Sequence, residues 1–365
     1  MSDTLTAPPS AASGPPAGPG QRPRRVVEAL WLVVPYIVSV VLAFVVGGLI
    51  IAAIGRDPFA AFESVLTTSF NTRFGTIETL HKWVPVLLCA YAFAIPLATG
   101  KFNIGAEGQL LVGATGGVAL GILWSDLPMV LLLPCVLVAG ALSGAVWAGI
   151  AAFLMTKFQV NEILSTVVLN FISFQLIDYV ASHVWPDRGA GHPATTPVGE
   201  GALLPGIGQA PPMHTGVLLT VFLVIVIAVF MRRTSTGFEM RAVGANLRAA
   251  QVHGIRTSRL AGAGLVVGGA VAGLAGAIEV AGVHGKMLEG MQSNFLILGI
   301  IVGLMARGSM LALPFIAFGI AVLEVGAGSM QRTAQVPVEM VLIIEALILL
   351  FLLLSDIARA KIRRH

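Results

Sequence analysis

Glutamates at positions 107, 162, 279, 324 and 345 interrupt otherwise apolar runs of the chain. A charged side chain near the middle of a bilayer costs about 2.5–3.5 kcal/mol on insertion scales, so each needs a partner or a watery cavity. In a cavity, these carboxylates would accept hydrogen bonds from the hydroxyls of a polar solute. Outside one, they pair with polar neighbours such as Asn170 or with a second subunit. Both readings stand for Glu279, Glu324 and Glu345; the spacing places the first two in outer halves of their helices and Glu345 deeper. Glu162, which follows Asn161 at the start of an apolar run, reads as part of a cap and dipole pair.

Amides form the second group. The segment Phe102–Gln109, FNIGAEGQ, precedes the glycine-studded run LLVGATGGVALGILW, whose glycines let helices approach closely in lipid. One reading is structural: Asn103 caps the following helix, and Glu107 sits at its positive N-terminal end. The other is a broken helix that presents Phe102, Asn103, Glu107 and Gln109 to a polar solute. Asn170, with Phe171 and Phe174 beside it, offers an amide and aromatic faces that suit a nucleobase, or simply packing.

Catalytic chemistry has no comparable support. No G-x-x-x-x-G-K-[ST] occurs, so the chain cannot cradle ATP phosphates, and the VHGK at 283–286 lacks the rest of that loop. H-E-x-x-H and CxxC are also absent, which gives no metal site, and the Ser, His and Asp residues are scattered without a hydrolase motif. Cys89 and Cys135 both lie in apolar segments and read as small buried hydrophobes.

Between two apolar stretches lies a polar insert, 232–259, with six arginines and the single acid Glu239. Positive loops stay on the cytoplasmic side during insertion, so this one fixes the orientation. The pattern predicts two short helices, Phe238–Val243 and Leu247–Val252, bent around Gly244 and capped by Asn246. Such an elbow either dots the surface as a solvated tether or docks onto another protein. As a docking helix it would use Ala242, Val243 and Ala249 for close contact, and Arg241 and Arg248 as charged anchors.

The elements that must position these residues are membrane helices. Apolar residues make up 56% of the chain and charged ones 11%, with a mean hydropathy of +0.89. That composition defines an all-α integral membrane protein. Ten spans are expected, near 30–54, 83–98, 107–124, 128–155, 163–184, 214–231, 260–282, 294–306, 309–327 and 337–354, with 294–306 short enough for a re-entrant segment. Both termini are then cytoplasmic. Inside lie Arg22, Arg24, Arg25, Lys101, Lys157, the six loop arginines, Arg307, Arg359, Lys361, Arg363 and Arg364. Outside lie Arg56, Arg73, Lys82, Arg188, Lys286 and Arg332, leaving no positive charge at mid-membrane. The net charge of +4 thus orients spans, and no basic patch interleaved with aromatics points to nucleic acid.

Residues 1–25 read as a cytoplasmic tail, Ala/Pro/Gly/Ser-rich and too poor in apolar residues to order, and 26–365 as the transmembrane domain. The first apolar run is too long for a cleavable signal peptide. External residues 185–213, with six prolines, suit an irregular loop that either meets a partner or is a passive linker. Phe59, Phe62, Val65 and Leu66 are spaced as one face of a short helix in the outer interface.

The wording GFEMRAVGANLRAAQVHGI resembles the ATPase-coupling loop of ABC-import permeases of the nucleoside and simple-sugar branch. FNIGAEGQ is similar to the motif of nucleoside-type members, and the resemblance continues through FQVNEILSTVVLNFI, GGAVAGLAGAIEVAGV and 299–354. Two departures are LGIIVGLMARGS, where wording nearer IAVALLG is expected, and Glu345, where members tend to carry glutamine. The resemblance implies the permease subunit of an ATP-driven importer in a bacterial inner membrane, carrying nucleosides or related purine compounds by alternating access. A simple sugar such as a pentose is the alternative solute, and an ion-driven secondary transporter the alternative class. It further implies a cytosolic ABC ATPase that holds the ATP and Mg, with no cofactor on this chain. A second related permease, an external substrate-binding lipoprotein and two helical halves in opposite orientation, roughly 83–184 and 260–354, complete the expected assembly. Glu239, Arg241, Ala242, Val243, Gly244, Asn246, Arg248 and Ala249 would couple to the ATPase. Phe102, Asn103, Glu107, Gln109, Asn170, Phe174, Glu279 and Glu345 would line the path.

Overall fold

Thirteen α-helices dominate the described structure, which in this computed structural model comprises residues 22–362. Most of the expected tail, positions 1–21, lies outside the described residues, and α1 (Arg22–Ala53) begins directly after it. There follow α2 (Pro58–Asn71), α3 (Arg73–Leu97), α4 (Ala106–Leu123), α5 (Met129–Phe158), α6 (Glu162–Tyr179) and α7 (Gly216–Arg233). Then come α8 (Ser235–Ala245), α9 (Leu247–Val252), α10 (Thr257–Glu279), α11 (Phe295–Met305), α12 (Leu313–Ala334) and α13 (Glu339–Ile362). Seven are long and apolar enough to cross a membrane: α3, α4, α5, α6, α7, α10 and α12. Apolar segments at Ile37–Ala53 and Phe295–Met305 are shorter.

Helix α3 begins ten residues before the expected span. Thr72 caps it, its Oγ1 accepting from Gly75 N at 3.0 Å, and the polar turns RFGTIETLHK continue the helix. Lys82 is therefore inside a helix, just before its apolar run, rather than in the connecting segment where the sequence places it. Glu324 pairs with it at 3.6 Å. Helix α12 runs on to Ala334, so Glu324 lies near its middle, and Glu345 lies in the second turn of α13, fully buried.

At the centre α10 packs along α4 and α5 and against α3. Gly140, Gly144 and Ala148 recur at i, i+4 spacing on α5 and face Gly269, Gly273 and Ala277 of α10. Without side chains the backbones meet, as helices do in lipid where packing rather than water exclusion drives association. A Cβ on Gly273 would stand 2.8 Å from Gly144 Cα. The packing is exchanged between halves: α3 packs on α11 and α12, and α10 on α4 and α5.

Helix α2 forms where the interfacial helix was expected, with Asp57 Oδ1 accepting from Phe59 N at 2.9 Å. Its packed face is Ala61, Ser64, Val65 and Ser69, whereas Phe59 and Leu66 point outward. Ser69 donates to Val322 O and Thr68 to Ser329 Oγ, fixing α2 on α12.

The external loop is more ordered than its prolines and glycines indicate. It contains a 3-10 turn at Glu200–Ala202 and a small antiparallel pair, β1 (Gly206–Ile207) with β2 (Met213–His214). Backbone bonds from Thr195 to Met287, Val198 to Gly285 and Leu204 to Ala281 lay it over the end of α10. Lys286 pairs with Asp187 at 3.0 Å, and the carboxyl of Asp187 is held below its usual range by that hydrogen bond and one from Gly189 N. His214, expected to open a span, belongs to this hairpin.

Candidate coupling elbow and translocation wall

The arginine-rich insert folds into the two expected helices, with α8 starting earlier than predicted. Thr234 Oγ1 accepts from Gly237 N at 3.1 Å to open α8, and Asn246 Oδ1 accepts from Ala249 N at 2.9 Å to open α9. The bend is at Asn246, which is extended (φ −156°, ψ 99°). Gly244 lies within α8, and its smallness serves contact: a Cβ there would press on the Ala98 carbonyl and reach Gly100 N at 3.3 Å. Thus α8 rests on the turn that ends α3.

Inward residues of the elbow are Gly237, Met240, Val243 and Ala250. Val243 is only 2% exposed, so it packs within the chain and offers no outward contact, a correction of its expected docking role. Glu239, Ala242, Asn246 and Ala249 line one groove of about 510 Å³ with Phe238 and His253. Arg241 and Arg248 are exposed. Sequence reasoning missed Phe238, Leu247 and Val252, which are 61%, 53% and 83% exposed. Their signal was available: large apolar residues in a polar loop. A second cleft, of about 540 Å³, separates the elbow from the start of α6 and is lined by Thr99, Lys101, Glu162, Val243, Leu247 and Gln251. Lys101 pairs with Glu162 across it at 3.3 Å, while Asn161 caps α6 as expected.

In the FNIGAEGQ segment Phe102–Gly105 is a non-helical link and AEGQ opens α4, and three amides hold the junction. Asn103 and Gln109 face each other reciprocally, Nδ2 to Oε1 at 2.8 Å and Nε2 to Oδ1 at 2.9 Å. Asn103 also donates to Ala92 O and accepts from Gly105 N. It therefore does not cap α4, whose N-cap is Gly105. Asn170 accepts from Gly108 N at 2.9 Å and donates to Ile104 O at 2.7 Å, which clamps the link to α6. All three side chains are buried and satisfied. They position backbone rather than present free donors, since broken backbone is tolerated at membrane depth only when its groups are paired.

Of the other expected path residues, Phe102 is exposed and its ring lies 6.1 Å from that of Phe93. Glu107, in the first turn of α4, and Phe174 are half-buried. Glu279 is buried and lies 3.5 Å from His284 Nε2. Glu345 is fully buried, and neither of its carboxylate oxygens has a hydrogen-bond partner. In this conformation the amides and Glu345 line no open path. The structure instead leaves Lys82 and Glu324 partly exposed, of which the sequence marked only Glu324.

Residues 75–353 match the family described as branched-chain amino acid transport system / permease component. The chain is 34% identical to the glucose ABC transporter permease of Haloferax volcanii, covering 92% of this chain and 90% of that one. It is 30% identical to the guanosine ABC transporter permease of Bacillus subtilis, over 88% and 92% of the two chains. A nucleoside ABC transporter permease of Lactococcus lactis is 26% identical over 87% and 89%. The elbow, the broken link and the glycine-packed bundle are thus parts of a multi-pass inner-membrane transport subunit whose ATPase is a separate component, as ABC permeases in general work with an ATPase and a binding protein. The chain belongs to the branched-chain amino acid transport system permease-component family, in the branch of ABC permeases for sugars and nucleosides.

Proposed function

We propose that this permease imports a neutral, hydroxyl-rich solute built on a sugar ring, a nucleoside by preference and a simple sugar otherwise. The observation that carries this reading is that relatives matching nearly the whole chain are named for glucose and for guanosine. The chemistry common to both is an uncharged ring bearing adjacent hydroxyls. The FNIGAEGQ wording favours the nucleoside.

In the assembled importer an external binding lipoprotein delivers the solute, and a second, related permease faces this one. Both termini are cytoplasmic. ATP binds the partner ATPase, whose closure pushes on the 232–259 elbow. Seated on the turn after α3, the elbow passes that push to α3 and α10, and the rigid helices convert it into alternating access.

The test is to reconstitute the permease with its ATPase, partner permease and binding protein, then measure ATP-driven uptake of guanosine, uridine, glucose, ribose and leucine. The binding protein's thermal stabilisation by the same panel provides a second readout. Uptake of leucine without any nucleoside or sugar would overturn the reading, as would uptake driven by an ion gradient in the absence of internal ATP.

A further inference from the structure

Charged side chains descend two neighbouring helices from the end that the arginine distribution places outside. On α3, Glu78 and Lys82 lie one turn apart; on α12, Arg332, Gly328 and Glu324 follow at the same i, i+4 spacing. Glu78 and Arg332 are exposed, and Gly328, Lys82 and Glu324 are partly so. The two stripes meet where Lys82 Nζ stands 3.6 Å from Glu324 Oε2, with side chains 25% and 18% exposed.

That meeting point lies well inside both helices. Lys82 is nine residues into α3, about 13 Å along a helix rising ~1.5 Å per residue, and Glu324 is near the middle of α12. Below it the same faces close, since Val86 and Cys89 of α3 and Ala317 and Ala321 of α12 are buried. Helix α2 covers another side of α12 through Ser69 and Thr68. A partly exposed ion pair inside two helices that carry apolar runs is costly against hydrocarbon, so the open side of the two stripes is read as facing water.

The floor itself is built. Lys82 Nζ lies 4.7 Å from the centre of the buried Phe295 ring, which fixes its position by a cation–π contact. The unpartnered, fully buried Glu345 has Lys82 and Glu324 as its charged neighbours. Glu78, Lys82, Glu324 and Arg332 supply two charges of each sign, so the stripes attract neither anions nor cations on balance.

We propose that Lys82 and Glu324 form the floor of a water-filled outer vestibule and make the first specific contacts with the solute inside the membrane. The inference rests on the reading of the solute as neutral and hydroxyl-rich. The ammonium donates to one hydroxyl oxygen and the carboxylate accepts from the adjacent hydroxyl, so a vicinal diol satisfies both without adding charge. An anionic solute would repel Glu324 and a cationic one Lys82, and the pair discriminates against both.

The test uses the assembled transporter in intact cells, with Cys89→Ala and Cys135→Ala as background. Lys82→Cys and Glu324→Cys, made separately, are exposed to a membrane-impermeant, charged methanethiosulfonate reagent. Val146→Cys, on the exposed apolar face of α5, is the comparison. The expected result is labelling from outside at 82 and 324 but not at 146, slowed by the transported nucleoside or sugar. Labelling at 82 and 324 no faster than at 146 overturns the vestibule; labelling that the imported solute does not slow overturns the contact.

A kinetic arm separates contact from bracing. Lys82→Met is expected to raise KM for uptake by roughly tenfold, the loss of one charge-assisted hydrogen bond, while the subunit still assembles. The exchange Lys82→Glu with Glu324→Lys is expected to keep assembly but leave KM high, and its full recovery would make the pair a brace and overturn the proposal. Failure of the solute reading looks different: the unaltered transporter imports no nucleoside or sugar, while labelling at 82 and 324 persists.

Discussion

The helical backbone at Gly244 lies against the carbonyl of Ala98, so the elbow and the end of α3 meet with no side chain between them. Force applied to α8 therefore reaches α3 through backbone contact. Gly244→Ala places a methyl into the Ala98 carbonyl, and Gly244→Val adds β-branching. Both variants should insert normally yet lose at least roughly tenfold in ATP-driven uptake, with Val the worse. Arg248→Glu should instead weaken ATPase co-purification in a salt-dependent way, because its side chain is exposed and its attraction is screened. Normal uptake by Gly244→Val in proteoliposomes would show that the contact transmits nothing.

The Asn103–Gln109 pair predicts a stability effect of a different kind. Asn103→Ala removes the reciprocal bonds and leaves Gln109, Gly105 N and Ala92 O without that partner inside the protein. Unsatisfied buried groups cost about 1–3 kcal/mol each before relaxation, so thermal unfolding of the purified subunit should shift by at least about 2 kcal/mol. Asn103→Asp should be no better, since its carboxylate cannot replace the two donated bonds. An unchanged melting curve for Asn103→Ala would refute the clamp.

Two glycines on neighbouring helices should differ sharply. Gly273→Ala forces a methyl onto Gly144 at the α5–α10 crossing and should destabilise by about 1–3 kcal/mol or more. Gly149→Ala, where nothing lies within 4 Å, should be neutral or stabilise by about 0.5–1 kcal/mol through helix propensity. Detergent melting of the two variants side by side checks the pairing directly.

The hairpin histidine predicts a pH effect. Burial first, and the neighbouring His81 second, lower His214 from 6.5 to about 4, and its ring stacks on His81 with centroids 4.1 Å apart. Its backbone N–H donates to His81 Nε2 at 3.2 Å. The unfolded chain binds the proton below pH 6.5 while the folded one refuses it until about 4, so stability falls as pH drops through that window. The slope is at most about 1.4 kcal/mol per pH unit. His214→Phe should remove this part of the acid sensitivity, as read by protease cleavage of the 185–213 loop between pH 7 and 4.5. An identical pH profile in that variant would assign the sensitivity elsewhere.

Much of the elbow was legible because its signals are local: an arginine excess, Asn246 before Leu247, and glycines marking the turns. The role of Gly244 was not, because Ala98 lies far away in sequence and no local pattern encodes the contact. Asn103 looked like a cap for the same reason, since its pairing with Gln109 depends on how the chain reverses after α3. Lys82 was placed in solvent because hydropathy sees only the apolar part of a helix, and RFGTIETLHK reads as loop until Thr72 is recognised as the cap. The external loop illustrates the converse. Its prolines and glycines predicted irregularity, yet backbone bonding to 281–287 orders it from outside its own sequence.

The exchanged packing of α3 and α10 has a consequence for biosynthesis. Helix α3 is complete at residue 97, but α12, on which it packs, ends only at 334. At ~5–20 residues per second, α3 waits for its partner for roughly tens of seconds of translation. During that interval its Lys82 has no Glu324 to meet, and the early half of the chain sits in the membrane without its final neighbours. A ribosome stalled after α10 would therefore leave α3 in place without α12, and Lys82 with only Glu78, one turn away on its own helix, as an acidic neighbour.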